Sequence, residues 1–109
     1  MKGFRQIHLG DMEMGLAKPL AAIDLPPERI TELSGVQFEL ARDDLDYLKG
    51  ALLETDSGKQ FALRCYIRGP FPMRTELVGS ENSKDSRADA DRFLELLKIP
   101  EEAVLWRSR

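Results

Sequence analysis

From Gln60 to Arg68 the chain alternates with a period of two. Phe61, Leu63, Cys65 and Ile67 fall on one side, and Gln60, Ala62, Arg64, Tyr66 and Arg68 on the other. Successive side chains of an extended strand point to opposite faces, so this run reads as a half-buried β-strand. Asp56-Ser57-Gly58 precedes it. Asp56 and Ser57 can hydrogen-bond the local backbone and Gly58 takes a positive φ without strain, which is what a tight reversal needs. A strand over residues 51–55 is therefore expected to pair with one over 60–68.

The remaining patterns add strands and two helices around this hairpin. Pro70 and Pro72 stiffen the connection at 69–73, and residues 74–78 read as a third antiparallel strand. Val36, Phe38 and Leu40 alternate with polar or small neighbours and predict a strand over 36–41. Residues 42–50 keep Leu45, Leu48 and Leu52 at helical spacing, but Gly50 interrupts the run, so one helical turn or a loop is expected there. The first 24 residues are the least legible: 4–9 suggest a short strand and 15–25 a covering segment. Pro26-Pro27 opens a short helix that Gly35 ends. The strongest helical stripe is Ala90, Phe93, Leu94 and Leu97 within residues 84–98, with Ser83 or Ser86 to cap it and Pro100 to stop it. Residues 101–107 read as a short edge strand or final turn, with Trp106 as a core plug. The fold expected is α+β: residues 1–109 as one domain, an antiparallel sheet of about four strands with two helices packed on one face.

Composition bounds the function classes. At 109 residues, with 42% hydrophobic and 32% charged residues, one modest core can form without covalent staples. The net charge of −3 makes nucleic acid an unfavoured partner, since non-specific affinity for it rests on Lys and Arg contacts to phosphate. The first 23 residues lack the uninterrupted apolar stretch of a signal peptide, and no run reaches the ~20 apolar residues of a membrane span. A lone cysteine fits a reducing compartment. The expected setting is the cytoplasm, away from membranes.

Reactive constellations are sparse in the sequence. A nucleophilic thiol needs a nearby cation, histidine or helix N-terminus, whereas Cys65 sits at an inward position of an alternating strand and is expected to pack. His8 is the single histidine, which leaves no zinc spacing of His and Cys. The acid pairs around Asp43, Asp44 and Asp46, and around Asp85, Asp89 and Asp91, lack the form of a calcium loop and read as a solvated turn and a solvated helix face. No motif requests a cofactor.

Residues 59–66 overlap the RNP1 strand pattern of RNA-recognition motifs at Lys59, Phe61, Ala62 and Tyr66, and depart from it at Gln60, Leu63 and Arg64. The ring positions that should stack on bases are Phe61 and Leu63, which belong to the inward face, so the family is not assigned. The other face carries Arg64, Tyr66 and Arg68 in steps of about 6–7 Å, with Arg74 beyond the proline connection. This row can grip a carboxylate, a phosphate or an acidic protein surface, or pair across the sheet with Glu39, Glu54 or Glu76. Phe71, held between two prolines, is a rigid apolar knob that a partner could accept. The function expected is a non-catalytic protein-interaction module of the inhibitor, immunity or accessory type, with homodimerisation through a sheet edge a further option. The alternative is a domain that binds small anions or nucleic acid through the Arg/Tyr face.

Overall fold

The computed structural model describes residues 3–8, 16–42, 47–68, 74–80 and 86–108. Among these the chain runs β1 (Phe4–Ile7), β2 (Leu16–Ile23), α1 (Pro27–Ser34), β3 (Glu39–Arg42), β4 (Tyr47–Thr55), β5 (Gln60–Tyr66), β6 (Thr75–Ser80), α2 (Ser86–Leu96) and β7 (Val104–Arg107). A 3-10 turn at Glu101–Ala103 feeds β7. All the strands join one antiparallel sheet in the order β1-β4-β5-β6-β2-β7, and β3 also pairs with β4. The α+β class fits, but the sheet has seven strands among the described residues, not about four.

The β4–β5 hairpin forms as its sequence predicts. Leu53 lies opposite Phe61 and Ala51 opposite Leu63. Gly58 takes φ 87° at the tip, where the Thr55 N–H donates to the Lys59 carbonyl at 2.8 Å. Cross-strand partners share a face, so Phe61, Leu63, Leu53, Ala51 and Leu77 form one apolar side, fully buried. Both helices cover that side: Ile30 of α1 and Ala90, Phe93 and Leu94 of α2 belong to the same core cluster. Phe61 and Phe93 stack with centroids 4.0 Å apart and planes within 7°, and Phe4 meets Phe61 edge-on at 6.5 Å.

Helix ends follow local chemistry. In α1, Gly35 adopts φ 81° and its N–H donates to the Thr31 carbonyl at 2.8 Å. α2 closes with a Schellman arrangement: Ile99 N–H donates to Leu94 and Lys98 N–H to Glu95, with Lys98 itself left-handed at φ 60°. Lys98 stands where glycine is usual, and the buried Ile99 supplies the apolar contact that accompanies this motif.

Several sequence expectations need correction. Within the stretch 15–25, expected as a covering segment, residues 16–23 form a strand instead. β2 is an interior strand between β6 and β7, where a proline should be excluded for want of an N–H. Register shifts between Leu16 and Lys18 and between Pro19 and Ala21 absorb Pro19, so the missing donor falls at an irregularity in the ladder. The strand expected over 36–41 starts later, at Glu39, and Leu40 is 69% exposed because α1 does not reach over it. β4 begins at Tyr47 rather than residue 51 and takes Leu48 with it. Asp89 is not on a solvated helix face: it is only 9% exposed and its Oδ1 receives Lys59 Nζ at 2.8 Å, tying the hairpin tip to α2. The proline connection at 69–73, the acids at 43–46, Ser83 and Asp85 lie outside the described residues.

Because Phe61 joins the sheet to α2, its replacement should be felt globally. Phe61→Ala is expected to lower the unfolding free energy by about 3–5 kcal/mol, measured by urea denaturation followed by circular dichroism. A loss below about 1 kcal/mol would mean that the stack with Phe93 contributes little beyond what the site recovers by collapse.

Candidate functional site

The side of the sheet away from the helices divides into two zones. Near the hairpin tip, Leu52, Ala62 and Val78 lie side by side on β4, β5 and β6 and form a second buried cluster, with Ile7 packed against it. Ala62, expected on a solvated face, is therefore core, because both of its cross-strand neighbours are large and apolar. Towards the other end the same side becomes charged and aromatic. One continuous cross-strand row runs Glu39, Gly50, Arg64, Glu76, Ala22 and Trp106, over β3, β4, β5, β6, β2 and β7.

Arg64 occupies the middle of this row. Its Nε donates to Glu76 Oε1 at 2.8 Å and its Nη2 donates to the same oxygen, while the guanidinium carbon stands 5.9 Å from the centre of the Tyr66 ring. Arg64 is three-quarters buried at the side chain and Glu76 more open. The cross-strand pairing considered for this arginine is thus realised with Glu76. Glu54 is taken instead by Arg5, at 2.9 Å; the hydrogen bonds from Arg5 and then Gln60 hold its carboxyl below the usual carboxylate range. Glu39 lies 3.9 Å from His8.

The other predicted site residues gather only in part. Tyr66 stays beside Arg64 at the end of β5. Arg74 precedes β6 and reaches Asp24 at 3.8 Å. Arg68 lies past the end of β5, exposed and without an ion pair to any described residue. Phe71 lies outside the described residues. Gly50 and Ala22 flank the Arg64–Glu76 pair with almost no side chain.

Trp106 was the residue most misjudged from sequence. It does not plug the core; it is 50% exposed at the end of the row, on the edge strand, next to Leu105 at 47%. The sequence held one signal for this. The run Val104, Leu105, Trp106 is apolar at every position, and a four-residue edge strand can turn only alternate side chains inward. From Arg64 to Trp106 is three strand spacings, about 14 Å.

On the helix side, Cys65 lies opposite Lys49 and is 5% exposed. Burial, with a smaller push from Glu28, raises its thiol above the ordinary range, and the opposing pull of Lys49 is weaker. Lys49 is itself engaged by Glu28 at 2.8 Å. Phe61 and Leu63, the positions that would have to stack on bases in an RNP1 strand, are fully buried. Among the described residues no group of three or more His, Cys, Asp or Glu is placed to hold a metal, and no helix is long and apolar enough to cross a membrane. No family model matches the chain, and neither a curated protein nor a solved structure does.

The burial of Cys65 fixes its reactivity. Ellman's reagent should modify the native protein on the order of a hundredfold more slowly than the urea-unfolded chain, since reaction waits on local opening. Raising the pH to about 9 should not abolish that protection, because the folded thiol titrates above its ordinary value. Equal rates in the two states would place the sulfur at the surface and reopen a chemical role.

Proposed function

We propose that the protein is a non-catalytic interaction module of the inhibitor, immunity or accessory kind, which binds another protein across the sheet face carrying Arg64, Tyr66, Arg74 and Trp106. The observation that carries this reading is the half-exposed Trp106 standing in one row with the Arg64–Glu76 pair. Tryptophan, tyrosine and arginine dominate the energetics of protein interfaces, and here all three types share one face. A sheet also presents them already ordered, so little side-chain or backbone freedom remains to be lost on binding. From β4 to β7 the face spans about 19 Å, which suits the central part of a patch of roughly 800 Å² per partner.

The charge pattern favours a protein over a polyanion. Arg64 is already neutralised by Glu76, so a phosphate would have to displace a carboxylate held at hydrogen-bond distance. A partner surface with alternating charges can instead engage both members of the pair without breaking it. Arg68 alone among the predicted site residues offers an uncommitted cation within the described residues.

The reading is tested by placing a photo-crosslinking residue at Trp106 and, as a control, at the exposed Glu95 of α2. Discrete protein adducts are expected at 106 and not at 95. Arg64→Ala and Trp106→Ala should each weaken capture of the crosslinked protein by about tenfold or more while the circular dichroism spectrum is retained. Equal adducts at both positions, or purified protein that carries nucleic acid and no protein partner, would overturn it.

A further inference from the structure

We propose that two copies of the chain associate by antiparallel pairing of β7 with β7, joining their sheets into one continuous sheet. This stands on the edge of the sheet; it shares Trp106 with the face-binding reading above but does not rest on it. Among the described residues β7 pairs with β2 alone. On the β2 side the Ser108 N–H donates to the Leu20 carbonyl at 2.8 Å and the Asp24 N–H to the Ala103 carbonyl at 2.7 Å. By the alternation of antiparallel pairing, an inward Ser108 turns the peptide groups of Arg107 and Leu105 outward. An edge that shows unpaired N–H and C=O groups next to exposed apolar side chains is a template for another strand. Leu105 and Trp106 supply those side chains, and a depression of about 340 Å³ lined by Arg87, Val104, Leu105, Trp106 and Arg107 runs along it.

The occupant is read from charge. The segment is acidic where it enters, at Glu101 and Glu102, apolar through Val104, Leu105 and Trp106, and basic where it leaves, at Arg107. Within one chain Arg107 already holds Glu101 and Asp91, so antiparallel pairing with itself leaves Glu102 as the acidic group brought beside the other copy's basic end. Pairing outward-facing residues places Leu105 against its own equivalent on a two-fold axis and Val104 across from Trp106 of the second copy; Ala103 takes no part, since its carbonyl accepts from Asp24 and its N–H donates to Pro100. Glu102 then lies diagonal to Arg107 and close to the Arg87 side of the depression. Glu102 is exposed and makes no ion pair with a described residue in the single chain, so it is available for that contact. The opposite edge is unsuited to the same role. It is made of two four-residue strands, β1 and β3, laid end to end against β4 and bearing Arg5, Glu39 and Arg42. The break between β1 and β3 and the charges along both resist pairing, whereas β7, though equally short, is continuous and apolar through Val104, Leu105 and Trp106.

Sedimentation equilibrium over about 1–100 µM chain decides the matter, with two variants. Leu105→Pro removes an outward N–H that β2 does not use, and Val104, at φ −88° and ψ 111°, already has the backbone that a following proline prefers. Glu102→Arg sets like charges against the second copy's Arg107 and Arg87 and leaves the strand untouched. The expected result is a dimer for the wild type, a monomer for Leu105→Pro, and at least tenfold weaker association for Glu102→Arg at low salt. If Leu105→Pro does not fold, Glu102→Arg decides alone. A wild type that stays monomeric at the highest concentration, including one that accepts only a foreign strand at this edge, overturns the proposal. So does a dimer that Glu102→Arg leaves unchanged.

Discussion

Where Phe61 lies flat on Phe93, a central strand of the sheet meets the helix that covers it. Aromatic pairs prefer offset or edge-on contact, and Phe4 completes the set by approaching Phe61 from the side. Three chain segments distant in sequence thus converge on one ring. Around it Leu53, Leu63, Leu77, Leu94 and Leu97 exclude water on the helix side. That commitment of one face is what leaves the other available: with both helices on the same side, the Arg64 end of the sheet is not roofed by either.

Polar contacts outside the core repeat one theme, in which charges are matched locally before any partner arrives. Lys59 holds Asp89 between the hairpin and α2, Arg107 links β7 to Asp91 and Glu101, and Arg64 is braced by Glu76. Each of these pairs keeps one member open to water, and solvent screening limits what such pairs contribute to stability. Their larger effect is to fix long side chains in place and to hold down the net field, so that recognition depends on pattern more than on total charge. Trp106 supplies apolar area at the end of such a pattern.

How much of this was legible in the sequence varies with how local the cause is. The hairpin, α1 with its Gly35 end, and the stripe of α2 follow from spacing and turn chemistry within a dozen residues. β2 was hidden because its run Leu16–Ile23 is apolar but for Lys18, lacks alternation and contains a proline. Only the bulges, which depend on both neighbouring strands, make it tolerable there. Likewise Val36, Phe38 and Leu40 share a period, yet Leu40 is left in solvent because the reach of α1, eight residues long, decides what is covered. For the site, Arg64 and Tyr66 were legible as an outward pair. Trp106 was not, since its place beside them depends on the order of strands, which no short window contains.

The interrupted edge on β4 has a consequence for the order of assembly. β1 and β3 are separated along the chain by β2 and α1, yet the Gln6 side chain donates to the Gln37 carbonyl and accepts from the Gln37 N–H at 2.9 Å, bridging the two segments. Closing that clasp requires a long loop to be brought round, whereas β4, β5 and β6 follow one another directly in sequence. The meander, with β3 paired to β4 across a short connection, is therefore the expected early scaffold and the clasp a late addition, so amides of β1 should be the last to gain protection in pulsed hydrogen exchange. A chain emerging from synthesis would hold residues 4–7 unpaired until β4 has been made.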